Sequence, residues 1–174
     1  MGTLLLLRHA KSGWDDPSLE DFDRPLSQRG RRAAQRLAGH VADRGLIPGL
    51  VLCSPARRTR ETLEPILAGL RPAPPVRLER NLYLASADAI LERIRAVTET
   101  AACLLVIGHN PGLHELASAL AGAGDARLRA RLADKLPTGG LITLTLDAPW
   151  SKLVPGAGRL VAFVTPRDLG GEED

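Results

Sequence analysis

The sequence predicts an α/β fold, a three-layer α/β/α sandwich built on a mostly parallel central sheet. Three observations carry this. Short unbroken apolar runs recur at residues 3–7, 50–53 and 103–107, as expected of strands buried on both faces. Between them lie stretches whose apolar residues return at helical spacing. Strand and helix signals then alternate along the chain with no internal repeat and no linker, the order that sets parallel strands side by side under helices.

Residues 3–7 (TLLLL) form the first expected strand. Ser27 is a good N-cap, and Ala34, Leu37, Ala38 and Val41 mark the inner face of a helix that Gly45 closes. A second short strand covers 50–53. Residues 57–70 read as a helix that Pro65 should kink or split, and 76–79 as a less marked strand. Ser86 caps a helix whose stripe is Ala87, Ile90, Leu91, Ile94 and Val97. After the strand at 103–107, Asn110-Pro111 reads as a helix start, cap then proline, with Leu113, Leu116, Ala117 and Leu120 inside. Leu128, Leu132 and Leu136 suggest one more helix with arginines on its outer face. Residues 141–146 and 159–165 are late strands joined by a Pro/Gly-containing loop.

Length and composition narrow the classes. The 174 residues, 44% hydrophobic, suit a single domain over 1–169, with 170–174 a frayed acidic tail. Aromatics are only 3%, so Leu, Val, Ile and Ala must fill the core. The N-terminal apolar run precedes its charges, whereas a secretory signal has a basic stretch before roughly 7–15 apolar residues. No segment nears the roughly 18 apolar residues of a membrane span. A cytoplasmic chain with no membrane partner is expected. Cys53 and Cys103 sit in apolar runs and read as buried thiols. The net charge of +3 invites nucleic acid as a partner, but the arginines are scattered and few aromatics stand between them to stack bases. No nucleic-acid partner is expected.

In open α/β sheets ligands bind beyond the carboxyl ends of the strands. Three strand ends carry unusual residues: Arg8-His9, Ser54-Pro55-Ala56-Arg57-Arg58, and Gly108-His109-Asn110-Pro111. If those strands are parallel neighbours, two histidines and at least two arginines converge on one edge. Guanidinium forks match phosphate oxygens, and a histidine can attack phosphorus and carry it covalently. Singly, each histidine would read as structural, as His40 and His114 do inside helical patterns. Jointly, His9 and His109 read as a site. Zinc needs three or four nearby ligands, and only two histidines present themselves, with no carboxylate in obvious reach.

At these residues the chain resembles the histidine phosphatase superfamily, which has the phosphoglycerate-mutase-like fold. The match is Arg8-His9-Ala10, then Ser54-Pro55 with Arg58 and Thr62, then Gly108-His109. LLLLRHAKSGW, DFDRPLSQRG and VIGHNPGL resemble more particularly the SixA-type phosphohistidine phosphatases. The resemblance spans almost the whole chain. It implies that His9 is the nucleophile and that Arg8, Arg58 and His109 form the phosphate pocket. Arg57 and Arg60 would face outward, and an Asp23–Arg24 pair would shape the neighbouring loop. Ala10 replaces a glycine common after Arg-His, as is usual in the SixA-like branch. Many relatives carry an acidic general acid where this chain has Asn81, and Glu79, two residues earlier, is the candidate substitute.

The resemblance and the residues together point to a metal-independent phosphatase without cofactor. Its partner would be a histidine-phosphorylated protein. A phosphohistidine loses an imidazole, which needs an acid less than an alkoxide does, so Asn81 leans that way. The absence of a long lid-forming insertion leans the same way, 15–25 being the longest loop beside the site. A small phosphate ester is the alternative substrate, and a non-catalytic phospho-protein binding module the alternative class.

Overall fold

Leu4, Leu5, Leu6 and Leu7 are each at most 1% exposed. Strand alternation sends neighbouring side chains to opposite faces, and the run divides accordingly. Leu4 and Leu6 enter one hydrophobic cluster, Leu5 and Leu7 another. A strand that must satisfy two cores has no polar position to spare, hence its unbroken leucines. The computed structural model describes residues 1–172.

This first strand, β1 (Gly2–Arg8), lies central in a seven-stranded sheet. The others are β2 (Leu50–Cys53), β3 (Val76–Leu78), β4 (Cys103–Gly108), β5 (Ala121–Gly124), β6 (Leu141–Leu146) and β7 (Gly158–Val164). Their spatial order is β3-β2-β4-β1-β6-β7-β5. Pairings are parallel among β1, β4, β2 and β3, antiparallel between β1 and β6 and between β6 and β7, and parallel again between β7 and β5. On one face α1 (Gln28–Asp43) and α2 (Arg57–Ala68) pack through Leu37, Val41, Leu63 and Ile66 against Leu5, Val51 and Leu105. On the other, α3 (Ala87–Arg95) and α4 (Gly112–Leu120) bring Ile90, Ile94, Leu113 and Leu116 against Leu52, Leu104 and Val106. A short α5 (Ala126–Asp134) completes that layer. The mixed α/β sandwich is the predicted class.

Local chemistry explains most boundaries. Ser27 and Ser86 accept hydrogen bonds from the Gly30 and Ala89 amides, the N-caps expected of them. Pro65 does not split its helix into two elements: α2 runs through it to Ala68. Burial of Leu63 and Ile66 on either side, at 3% and 1% exposure, holds both turns to the sheet. Asn110 is not the cap of α4. Pro111, after a cis peptide bond, takes that position, and the Asn110 amide instead donates to Leu136 O at 2.9 Å. Leu136 lies beyond the end of α5, although it is buried.

The strand β5 (AGAG) is invisible to propensity because alanine and glycine are poor strand formers. It exists through close approach: a Cβ on Gly122 would stand 2.0 Å from Gly156 O. Cys53 is buried as expected, whereas Cys103 is only partly so, and both thiols are free. Of the expected acidic tail, Gly171 donates its amide to Pro166 O at 2.7 Å and Glu172 reaches Arg29. Positions 173–174 lie outside the described residues. Among the described residues no helix is long and apolar enough to cross a membrane.

Candidate active site

The sheet register brings the three strand ends together. Arg8 at the end of β1 pairs with Gly108 at the end of parallel β4, and Cys53 at the end of β2 pairs with Ile107. His9, Ser54 and His109 therefore leave the sheet at one level. Gly139, at φ +73, sends its amide to Arg8 O and His9 O at 3.0 and 2.9 Å and so fixes the chain where β1 ends. Its left-handed backbone is one that glycine adopts without cost.

His9 is 7% exposed. Its Nδ1 lies 2.7 Å from Ala10 O. A carbonyl can only accept, so Nδ1 carries the proton and Nε2 keeps its lone pair. Ala10 is held in turn by Thr62 Oγ1, which accepts its amide at 3.0 Å and donates to Arg58 O at 2.7 Å. Thr62 thereby ties the loop after β1 to the first turns of α2.

Arg58, in the first turn of α2, is 2% exposed and reaches both histidines and Asp21. Its Nε donates to His9 Nε2 at 3.3 Å, and its Nη2 meets His109 Nδ1 at 3.3 Å. Nη1 donates to Asp21 O at 2.6 Å and Nη2 to Asp21 Oδ2 at 3.0 Å. Because Arg58 is a donor, His109 Nδ1 is an acceptor, and His109 Nε2–H donates to buried Ser54 Oγ at 2.7 Å. Arg8 anchors through Nη1 to Leu136 O at 3.0 Å. The rings of His9 and His109 lie 5.3 Å apart.

Electrostatics keep both imidazoles neutral. Burial pulls His9 down to about 3, against a rise from its Ala10 bond, and the positive charges of its neighbours add to the fall. Burial and then Arg58 bring His109 to about 3, with Asp21 opposing. Asp21 goes the other way. Burial alone would raise it, but hydrogen bonds from Tyr83, Arg24 and Arg58 prevail and hold it at about 2. The result is an electropositive cleft with a neutral imidazole, that of His9, on its wall.

Arg8, His9, Arg58 and His109 thus come together, as the strand ends and the resemblance together predicted, around an open groove of about 320 Å³ that Lys11, Arg24 and Asp21 also line. A larger cavity of about 540 Å³ lies at the amino end of β1, beside Gly2 and Trp150, and is lined by no histidine or arginine. Arg57 and Arg60 are exposed, paired with Glu61 and Pro55 O.

Three expectations need correction. Glu79 is not presented to the groove: Arg93 holds its carboxylate through two bonds of 2.5 and 2.6 Å. Asn81 is exposed in a 3-10 turn (Arg80–Leu82) and does not line the groove either. Arg24 pairs with Asp21, not Asp23, through Nε and Nη2 to Oδ1 at 3.1 and 3.0 Å.

Asp21 is the residue that sequence reasoning missed, and it brings a carboxylate to a cluster expected to have none. Its two oxygens accept from Arg24, Arg58 and the Tyr83 hydroxyl. Tyr83 also packs edge-on against His109, with centroids 5.4 Å apart. The three-residue spacing of Asp21 and Arg24 was the available signal, since a 3-10 turn (Asp21–Asp23) places such side chains on one side. Among the described residues no group of three or more His, Cys, Asp or Glu is arranged to hold a metal ion.

Comparison with known proteins agrees with this geometry. The family model of the histidine phosphatase superfamily (branch 1) matches residues 4–83. An uncharacterized protein of Mycobacterium tuberculosis is 38% identical over 92% of this chain and 100% of its own length. The crystal structure of a protein assigned as phosphohistidine phosphatase SixA from Agrobacterium tumefaciens has a TM-score of 0.81 and 32% identity, covering 95% of this chain and 98% of that one. A protein histidine phosphatase SixA solved with tungstate shares the fold at TM-score 0.76 and 22% identity, over 96% and 99% of the two chains.

Proposed function

Taking as premise that this chain belongs to the histidine phosphatase superfamily and is SixA-type, we propose that it removes the phosphoryl group from phosphohistidine in a protein, through a covalent intermediate on His9. Membership makes phosphatase chemistry the activity class. One observation carries the finer reading: neutral His9 turns its Nε2 lone pair into an open groove, against a guanidinium N–H 3.3 Å away.

The steps follow from that arrangement. The phosphoryl oxygens take the Arg58 N–H groups that now meet His9 Nε2 and His109 Nδ1, with Arg8 adding positive charge. Nε2 then bonds to phosphorus as the P–N bond breaks, its electron pair leaving on the substrate imidazole. That ring departs neutral when its other nitrogen already carries a proton, so no acid need be supplied. Water attacks phospho-His9, inorganic phosphate leaves, and the imidazole returns to its resting tautomer. Fixed cationic donors stabilise the charge throughout, which is most of what phosphoryl transfer requires. The groove meets the same demand that a divalent cation answers elsewhere, and the activity is metal-independent.

The test is a panel: histidine-phosphorylated proteins beside alkyl and aryl phosphate esters. Preferential turnover of phosphohistidine, with acid-labile phosphate trapped on His9, supports the reading. Preference for the esters overturns it in favour of a small-ester phosphatase.

A further inference from the structure

Two of the exposed large apolar side chains of this chain stand on the catalytic groove, Trp14 at 72% and Leu84 at 55% exposure. Exposed apolar residues scattered singly call for no explanation. These two differ in how they are held.

Trp14 lies against the guanidinium of Arg24, whose Cζ is 3.4 Å from the ring centroid. Arg24 is itself 7% exposed and pinned by three bonds, two to Asp21 Oδ1 and one from Nη1 to Ser12 Oγ at 2.8 Å. One face of the indole is therefore seated on a fixed cation, and the rest faces solvent. Leu84 is the sole non-glycine residue at positive φ among those described, at +50. A bulky side chain rarely adopts that backbone. Strain of this kind persists where the surroundings impose it, often beside ligand sites. Here it holds a leucine in solvent at the lip of the groove, next to Tyr83.

The groove thus has a cationic wall and an apolar lip. A phosphoryl group mounted on a protein reaches His9 only with neighbouring surface laid over that lip. We infer that Trp14 and Leu84 form the docking contact for the phosphoprotein substrate and receive apolar residues flanking its phosphohistidine. Large, rigidly held aromatic rings are the side chains that most often dominate such contacts. This inference rests on the phosphohistidine-protein reading above and assigns specificity to two residues outside the phosphoryl cluster.

The experiment compares kcat/KM for phosphoimidazole and for small phosphotransfer proteins phosphorylated on histidine with phosphoramidate. The variants are Trp14→Ala and Leu84→Gly, glycine being chosen because positive φ suits it, so that folding is preserved. Each should lower kcat/KM for the phosphoproteins at least tenfold, mainly through KM, and change that for phosphoimidazole less than twofold. Equal losses on both substrates, or an unchanged value for the phosphoproteins, would overturn the inference. Wild type that cleaves phosphoimidazole but no phosphoprotein overturns it as well, while leaving P–N cleavage intact. Wild type inactive on both removes the reading beneath it.

Discussion

Arg58 Nε–H points at His9 Nε2 from 3.3 Å, so one guanidinium both addresses the imidazole lone pair and lies where the proposed reaction puts the phosphoryl oxygens. Its Nη2 stands in the same relation to His109 Nδ1. Two ring nitrogens and two N–H groups thus face each other across the resting site. An arriving phosphoryl group can take both donors at once and leave His9 Nε2 free to attack.

The first consequence concerns His9. Replacing it by alanine removes the lone pair that attacks phosphorus in the proposed mechanism. His9→Ala should lower kcat by at least about 10³-fold, and labelled substrate quenched without acid should leave label on wild-type His9 alone. Label on another residue would refute the covalent step.

Asp21 should matter almost as much, for a different reason. It fixes Arg58 by one carboxylate bond and one main-chain bond, and holds Arg24 by its other oxygen. Displacing a positioning group by about an ångström costs on the order of 10²-fold. Asp21→Ala should lower kcat/KM by about that factor on protein and small substrates alike, and Asp21→Glu should recover part of it. A loss confined to phosphoproteins would mean that Asp21 acts in docking instead.

That carboxylate also marks the limit of what the sequence could tell. The strand ends were legible because buried parallel strands advertise themselves as apolar runs, and the residues just after such a run lie on the sheet edge. Hence Arg8, His9 and His109 could be placed together with the Arg57-Arg58 pair, and the family resemblance singled out Arg58. Asp21 sits on an irregular loop whose path depends on the Ser12–Leu26 bridge and on Arg24 folding back. No periodicity records such a path. Adjacency favoured Asp23 as the partner of Arg24, but the turn exposes Asp23 and brings Asp21 inward. Glu79 misled for the converse reason. Strand alternation predicted its side but could not foresee Arg93, on α3, waiting there.

The two imidazoles make a prediction about acid stability. Both are held near 3, below the ordinary 6.5. As pH falls below 6.5 the unfolded chain binds protons at these positions and the folded one does not, until about pH 3. The stability from keeping them neutral is therefore complete above 6.5 and lost progressively between 6.5 and 3. Asp21 loses its contribution only lower, between 3.8 and about 2. Thermal midpoints measured from pH 7.5 to 4 should fall, and His109→Gln should make that fall shallower. An equally steep fall in the variant would show that His109 is not held neutral.

Metal removal should leave turnover untouched. Arg8, Arg58, Arg24 and Lys11 line the groove and already oppose the phosphoryl charge. Activity after exhaustive chelation should match the untreated enzyme within about twofold, a margin far below the several kcal/mol that a catalytic cation supplies. Loss that returns with added zinc or magnesium would require ligands not evident in this cluster.

The sharpest prediction concerns leaving groups. A general acid is worth about 10²–10⁴-fold to a poor leaving group, and among the described residues the groove offers no protonated carboxyl group. Glu79 is committed to Arg93, Asn81 is exposed outside the groove, and Asp21, held at about 2, is ionised at neutral pH. An alkoxide must then leave unaided, an aryl oxide suffers less, and a protonated phosphoimidazole hardly suffers at all. Values of kcat/KM should fall in the order phosphoimidazole, aryl phosphate, alkyl phosphate, with the ends about 10²–10⁴-fold apart. Asn81→Glu should not close that gap, because a carboxyl there stays in solvent. Glu79→Gln should leave the order intact and lower the unfolding temperature, since Arg93, only 13% exposed, loses its charged partner. If Glu79→Gln instead abolishes alkyl ester turnover while phosphoimidazole turnover persists, the Glu79–Arg93 pair must open during catalysis. Glu79 would then be the acid, and the preference for P–N bonds would lose this support.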